Sequence, residues 1–123
     1  MKERLMKKEN SWLNEFHRIN CARQHEAFAP AHSLLGLVAC ASEEIGELAG
    51  VALGLTKEKK RKLHHTNEDL LDAVADAITY LSLIAERGGC IDLQGLLTKT
   101  FNMVSDRAGS KLKVPAILDK EGA

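Results

Sequence analysis

Glu43, Glu44 and Glu47 stand inside the most apolar stretch of this sequence, in the string SEEIGELAG. Residues three and four apart share one side of a helix, so Glu44 and Glu47, or Glu43 and Glu47, point the same way if the stretch is helical. Asp72 and Asp76 repeat the pattern in LLDAVADAITYL, four apart among apolar neighbours, and Asp69 extends their line by a turn. Like charges gathered in a half-buried site repel, and keeping them ionised is costly unless a cation compensates. All these candidate ligands are oxygens, with no thiolate or imidazole at ligand spacing, which selects a hard ion, magnesium or manganese, over zinc or copper. Carboxylate di-iron sites in helix bundles need Glu-x-x-His pairs, and Glu44 is followed three residues on by Glu47 instead. A merely solvated face is the competing reading of any single pair of acids. Two such clusters on consecutive apolar segments put the metal level with that reading.

Positioning these groups falls to helices. Two prolines, 4% aromatics and an abundance of Ala, Leu, Glu and Lys favour helix over strand. A first helix is expected from Ser11 to Glu26, with Trp12, Leu13, Phe16 and Ile19 on one face. A second, apolar nearly all round, is expected from near Pro30 to Leu55 and carries the three glutamates. KEKKRK, Lys57 to Lys62, then reads as an exposed loop or helix end, followed by His64 and His65. Thr66 and Asp69 have the spacing of a capping box and open a third helix, which carries Asp72 and Asp76 and ends at Gly88 and Gly89. Asp92 is a suitable N-cap for a fourth helix running to about Gly109, and the tail after Lys111 reads as irregular and mobile. The expectation is an all-α, four-helix bundle-like fold in a single domain over residues 1–123, with its core at about 11–109.

The 123 residues, 45% of them hydrophobic, bury a modest core and leave no room for a second domain. Seventeen basic and seventeen acidic side chains cancel, so no broad positive field draws the chain to nucleic acid. Cys21, Cys40 and Cys90 are odd in number, widely spaced and without CxxC pairing, and read as buried thiols in a reducing compartment. The N-terminal MKERLMKKEN is charged where a signal peptide is apolar, and no run approaches the ~18 apolar residues of a membrane span. A cytoplasmic protein is expected, with no membrane partner.

EEIGEL, Glu43 to Leu48, followed after a basic stretch by DAVADAITYL, Asp72 to Leu81, resembles the MazG-like nucleotide pyrophosphohydrolases of the all-α NTP pyrophosphatase superfamily. FNMVSDRAGS, Phe101 to Ser110, is similar to the fourth-helix ending of that group. The family pattern is EExxE, a spacer, then ExxD. Its first half is matched by Glu43, Glu44 and Glu47; in the second half only Asp76 is matched directly, because Ala73 stands where the family carries glutamate and Asp72 is the nearest substitute. The resemblance implies that Glu44, Glu47 and Asp76, with Asp72, hold one or two magnesium ions, manganese being the alternative. It implies that Glu43 or Asp72 completes the shell or orients water. The implied reaction cleaves a nucleoside triphosphate at the α-phosphorus into a monophosphate and pyrophosphate, a pool-cleaning activity on non-standard or deoxy nucleotides.

It further implies that Lys99 and Asn102, spaced with Ser105 on the fourth helix, contact the nucleotide, and that the chain assembles as a homodimer or homotetramer. Trp12 and Phe16 are candidates to stack on a base, although aromatics at helical spacing also suit a core. His32 is a candidate to approach the site or an ordinary surface histidine, and KEKKRK a solvated loop or a guide for polyphosphate. Two rival functions stand beside this one. In the first, a non-catalytic helical interaction module, the acids form interhelical salt bridges with residues such as Arg87 or Lys99. In the second, the same metal platform hydrolyses a different phosphorylated compound.

Overall fold

The computed structural model describes residues 11–28, 32–55 and 66–115, with the side chain of residue 55 left out. Pro30, the KEKKRK run, His64, His65 and the last eight residues lie outside the described residues. Within them the chain is all-helical, with no strand: α1 spans Trp12–Ala27, α2 Leu34–Leu55, α3 Asn67–Arg87 and α4 Leu93–Ala108. Residues 11–19 and 89–115 belong to one compact unit, and 20–28, 32–55 and 66–88 to a second.

Short polar residues start each helix by satisfying its free amides. Ser11 Oγ accepts from the Asn14 amide at 3.1 Å and Ser33 Oγ from the Gly36 amide at 3.0 Å. α2 therefore begins at Leu34 on a serine cap, rather than near Pro30 on a proline first turn. The capping box of α3 forms as its spacing predicts: the Asp69 amide donates to Thr66 Oγ1 at 3.2 Å and the Thr66 amide to Asp69 Oδ2 at 2.8 Å. Asp69 is thereby committed to its own helix end.

In the second unit α2 and α3 pack against each other in opposite directions. Leu37 shares a core cluster with Leu83, Cys40 hydrogen-bonds Tyr80, and Glu44 feels Asp76, so numbering climbs on one helix as it falls on the other. Cys21 of α1 completes the cluster, and Tyr80 and Ile84 pack on it. Ala41, Ala73 and Ala77 are buried as well. On α2, Val38 and Ile45 each follow a residue of the contact line; on α3, Val74, Ile78 and Leu81 do the same, and all five are exposed. One residue turns the helix by about 100°. In helices running opposite ways that turn carries both sets to the same side of the pair, where Leu35 and Leu71 are exposed too. Among the described residues, nothing covers this apolar side of α2.

The first unit is tied by polar contacts. Asn14 Nδ2 donates to Asp92 Oδ1 at 2.8 Å, and Asn14 Oδ1 accepts from the Gln94 amide at 2.9 Å. Asp92 Oδ1 also accepts from the Gly95 amide at 2.9 Å, which caps α4. A Cβ at Gly95 would lie 2.3 Å from Asp92 Oδ2, so glycine there leaves room for a carboxylate pinned from two sides. His17, 3% exposed, meets the Cys90 carbonyl through Nε2 at 2.8 Å; a carbonyl only accepts, so Nε2 carries the proton. The spacing sets Trp12, Leu13, Phe16 and Ile19 on one face of α1. On that face Leu13 and Phe16 are half-buried, while Trp12 is 76% and Ile19 52% exposed; the fully buried residues of α1 are His17, Asn20 and Cys21. Hydrogen bonds from Asn14, His17 and Asn20 orient the helix, and apolar periodicity is blind to them.

α4 ends in a Schellman turn: Gly109 takes φ 73°, its amide reaches the Asp106 carbonyl, and the Ser110 amide reaches the Ser105 carbonyl at 2.8 Å. Beyond it the chain is irregular, as expected, but it is held as far as Val114. Asn102 Nδ2 donates to the Val114 carbonyl at 2.9 Å and the Val114 amide to Asn102 Oδ1 at 2.8 Å. Replacing Asp92 by alanine removes the α4 cap and leaves the Asn14 amide without its acceptor. A loss of about 2 kcal/mol in urea unfolding is expected, against a few tenths for a solvated aspartate.

Candidate active site

The five carboxylates singled out by type and spacing fall on the two packed helices of the second unit, Glu43, Glu44 and Glu47 on α2 and Asp72 and Asp76 on α3. Glu44 is the half-buried one, and its Oε2 is shut off from solvent without a hydrogen-bond partner. Loss of hydration is the largest influence on it and raises its pKa above the ordinary 4.5. The charges of Glu47, Asp76 and Glu43 add to this in that order, and a hydrogen bond with Glu47 raises it further. Four of the five acids are thus brought into one electrostatic group. Asp72 is not among the charges that act on Glu44; it is exposed, one turn before Asp76.

As the side chains stand, no three histidine, cysteine, aspartate or glutamate groups among the described residues are arranged to hold a metal ion. The donor set nevertheless fits a hard divalent cation. A buried carboxylate oxygen lacks any partner, like charges crowd it, and every nearby acid contributes oxygen. Glu43, Glu47 and Asp76 are exposed, so their side chains can turn toward an ion without disturbing the core. Ala73, where the resemblance looks for glutamate, is buried at 6% exposure, and the adjacent Asp72 carries its charge outward.

Alongside lies a polar cavity of about 200 Å³ within the second unit, bordered by Asp76 and Tyr80 of α3, Arg23 and Gln24 of α1, Phe28 and His32. The Tyr80 hydroxyl is pushed above its ordinary pKa, first by burial, then by Cys40, with which it is hydrogen-bonded, and by the charges of Glu44 and Asp76. His32, which the sequence leaves open between an approach to the site and an ordinary surface histidine, is exposed and lines this cavity. Arg23, Gln24, Phe28 and Tyr80 escaped sequence reasoning. Tyr80 had one available signal, its position four residues after Asp76, whereas the α1 residues arrive through tertiary packing alone.

Salt bridges to the five acids, which the interaction-module rival requires, do not form among the described residues. The ion pairs there join Glu15 with Arg18, His25 with Glu86 and Asp106 with Lys113. Arg87 donates to the His32 carbonyl, and Lys99 is exposed on α4.

Lys99, Asn102 and Trp12 belong to the first unit. Both ends of the Asn102 amide are spent on Val114. Trp12 stacks on Phe16 with ring centroids 5.7 Å apart. Ser105 is buried. That unit has its own cavity of about 610 Å³, lined mainly by apolar groups such as Leu13, Leu97, Phe101 and Val114, with none of the expected carboxylates. No helix among the described residues is long and apolar enough to cross a membrane. No protein-family model, curated protein or solved structure matches the chain.

Proposed function

We propose that this protein is a magnesium-dependent nucleoside triphosphate pyrophosphohydrolase of the MazG-like kind, releasing a nucleoside monophosphate and pyrophosphate in a pool-cleaning role. The observation that carries the reading is the Glu44 carboxylate, desolvated, unpartnered at Oε2 and crowded by Glu47, Asp76 and Glu43. A cation bound there would offset the crowding of like charges around Glu44. The strings EEIGEL and DAVADAITYL supply the nucleotide side of the proposal.

Glu44, Glu47 and Asp76 would hold magnesium, or manganese, with Asp72 as a further ligand. Bound there, the ion neutralises phosphate oxygens and lowers the pKa of its water. Glu43, exposed at the margin of the cluster, accepts a proton from the attacking water or completes the shell. The resemblance proposes Lys99 and Asn102 as nucleotide contacts, and Trp12 is a candidate to stack on a base; all three belong to the first unit.

Cleavage in isotope-labelled water tests the reaction. Attack at the α-phosphorus puts the label in the monophosphate. Label in inorganic phosphate, with a nucleoside diphosphate as the other product, would mean γ cleavage and would remove the pyrophosphohydrolase reading.

The protein is also proposed to pair with a second copy through the exposed apolar side of α2 and α3. Val38 and Ile45 on one helix and Val74, Ile78 and Leu81 on the other are exposed on that side, and apolar groups gathered on one face are what pairing covers.

A further inference from the structure

Arg23 differs from the other arginines near it. Arg18 is paired with Glu15, and Arg87 donates to the His32 carbonyl. Arg23 has no ion pair or hydrogen bond among the described residues, yet it lines the 200 Å³ cavity beside Asp76. Asp76 belongs to both places: it borders the cavity and acts on Glu44 in the carboxylate group. A guanidinium with its donors unspent thus shares a polar cavity with one of the proposed metal ligands.

Resting on the proposed function, we infer that Arg23 binds the leaving pyrophosphate portion of the substrate, while the carboxylates address the phosphorus under attack. Three features support this assignment. The guanidinium fork matches two phosphate oxygens at once. The cavity is smaller than the roughly 300–1,000 Å³ of most small-molecule sites, so it suits a fragment rather than a whole nucleotide. Acids dominate the neighbouring cluster, and a polyphosphate end reaching past them needs a fixed positive group. Arg23 makes and breaks no bond in this role; it fixes the chain of phosphates so that the α-phosphorus lies at the carboxylates.

Calorimetry on the full chain tests the inference with magnesium pyrophosphate as the ligand, which requires no turnover. Arg23 is exposed and holds no other element, so Arg23→Ala leaves the fold intact. The expected result is a loss of about 10- to 100-fold in pyrophosphate affinity for Arg23→Ala, the span of one charge-assisted contact. A smaller loss is expected for Arg23→Lys, which keeps the charge without the fork, and affinity for magnesium alone stays unchanged. Equal pyrophosphate affinity in wild type and Arg23→Ala would overturn the assignment. So would an equal loss of affinity for an uncharged nucleoside, which would place the base in the cavity instead. If the wild type hydrolyses no triphosphate but binds magnesium pyrophosphate through Arg23, the anion site stands and the pyrophosphohydrolase reading falls.

Discussion

Exchange of Glu44 or Glu47 for glutamine is expected to lower magnesium-dependent turnover by about two to three orders of magnitude, with the helical content retained. The substitution keeps the size of the side chain and removes the charge that the ion must meet. Glu44→Gln should have a second, opposite effect. The folded protein holds the Glu44 proton more tightly than the unfolded chain does, so this group contributes stability that is whole below its ordinary pKa of 4.5. That contribution is lost as pH rises through the raised folded value. In chelator at neutral pH the glutamine variant should therefore melt above the wild type. Added magnesium should raise the melting temperature of the wild type and leave Glu44→Gln where it was, because only the former binds the ion. Unchanged turnover in both variants, together with a wild-type melting temperature indifferent to magnesium, would sink the metal site.

A dimer or larger even-numbered assembly is the expected result of light scattering on the wild type, and Ile78→Asp should convert it to monomers. Ile78 is already 48% exposed in the isolated chain, so aspartate there costs the single chain little. Across a paired apolar face the same carboxylate would be stripped of water without a partner, which weakens association by about 100-fold or more. A monodisperse wild-type monomer at micromolar concentration would refute the assembly.

Helix positions were legible in the sequence where local chemistry sets them. Thr66 with Asp69, Asp92, Gly88 and Gly109 punctuate the chain through bonds spanning three to five residues, and such bonds can be read from spacing. The start of α2 was misplaced because both Pro30 and Ser33 are good starting residues, and the serine takes the role. The residues that α1 buries most deeply escape the sequence for a different reason. Asn14, His17 and Asn20 find their partners at Asp92, Cys90 and Thr79, and no local pattern announces bonds of that sequence separation. At the candidate site, the acids betrayed themselves by standing among apolar neighbours. Their grouping around Glu44 depends on the register of α2 against α3, and the cavity depends on which residues of α1 face Asp76. Neither register nor facing is carried by one helix alone.

The bonds that seal α1 to the start of α4 also bear on how the chain is completed during synthesis. His17 waits for a carbonyl 73 residues later, and Asn14 for an amide 80 residues later. Until Cys90 and Gln94 have been made, these two bonds cannot form. These two bonds of α1 therefore form late, while the caps at Ser11 and Ser33 are available as soon as their own turns exist.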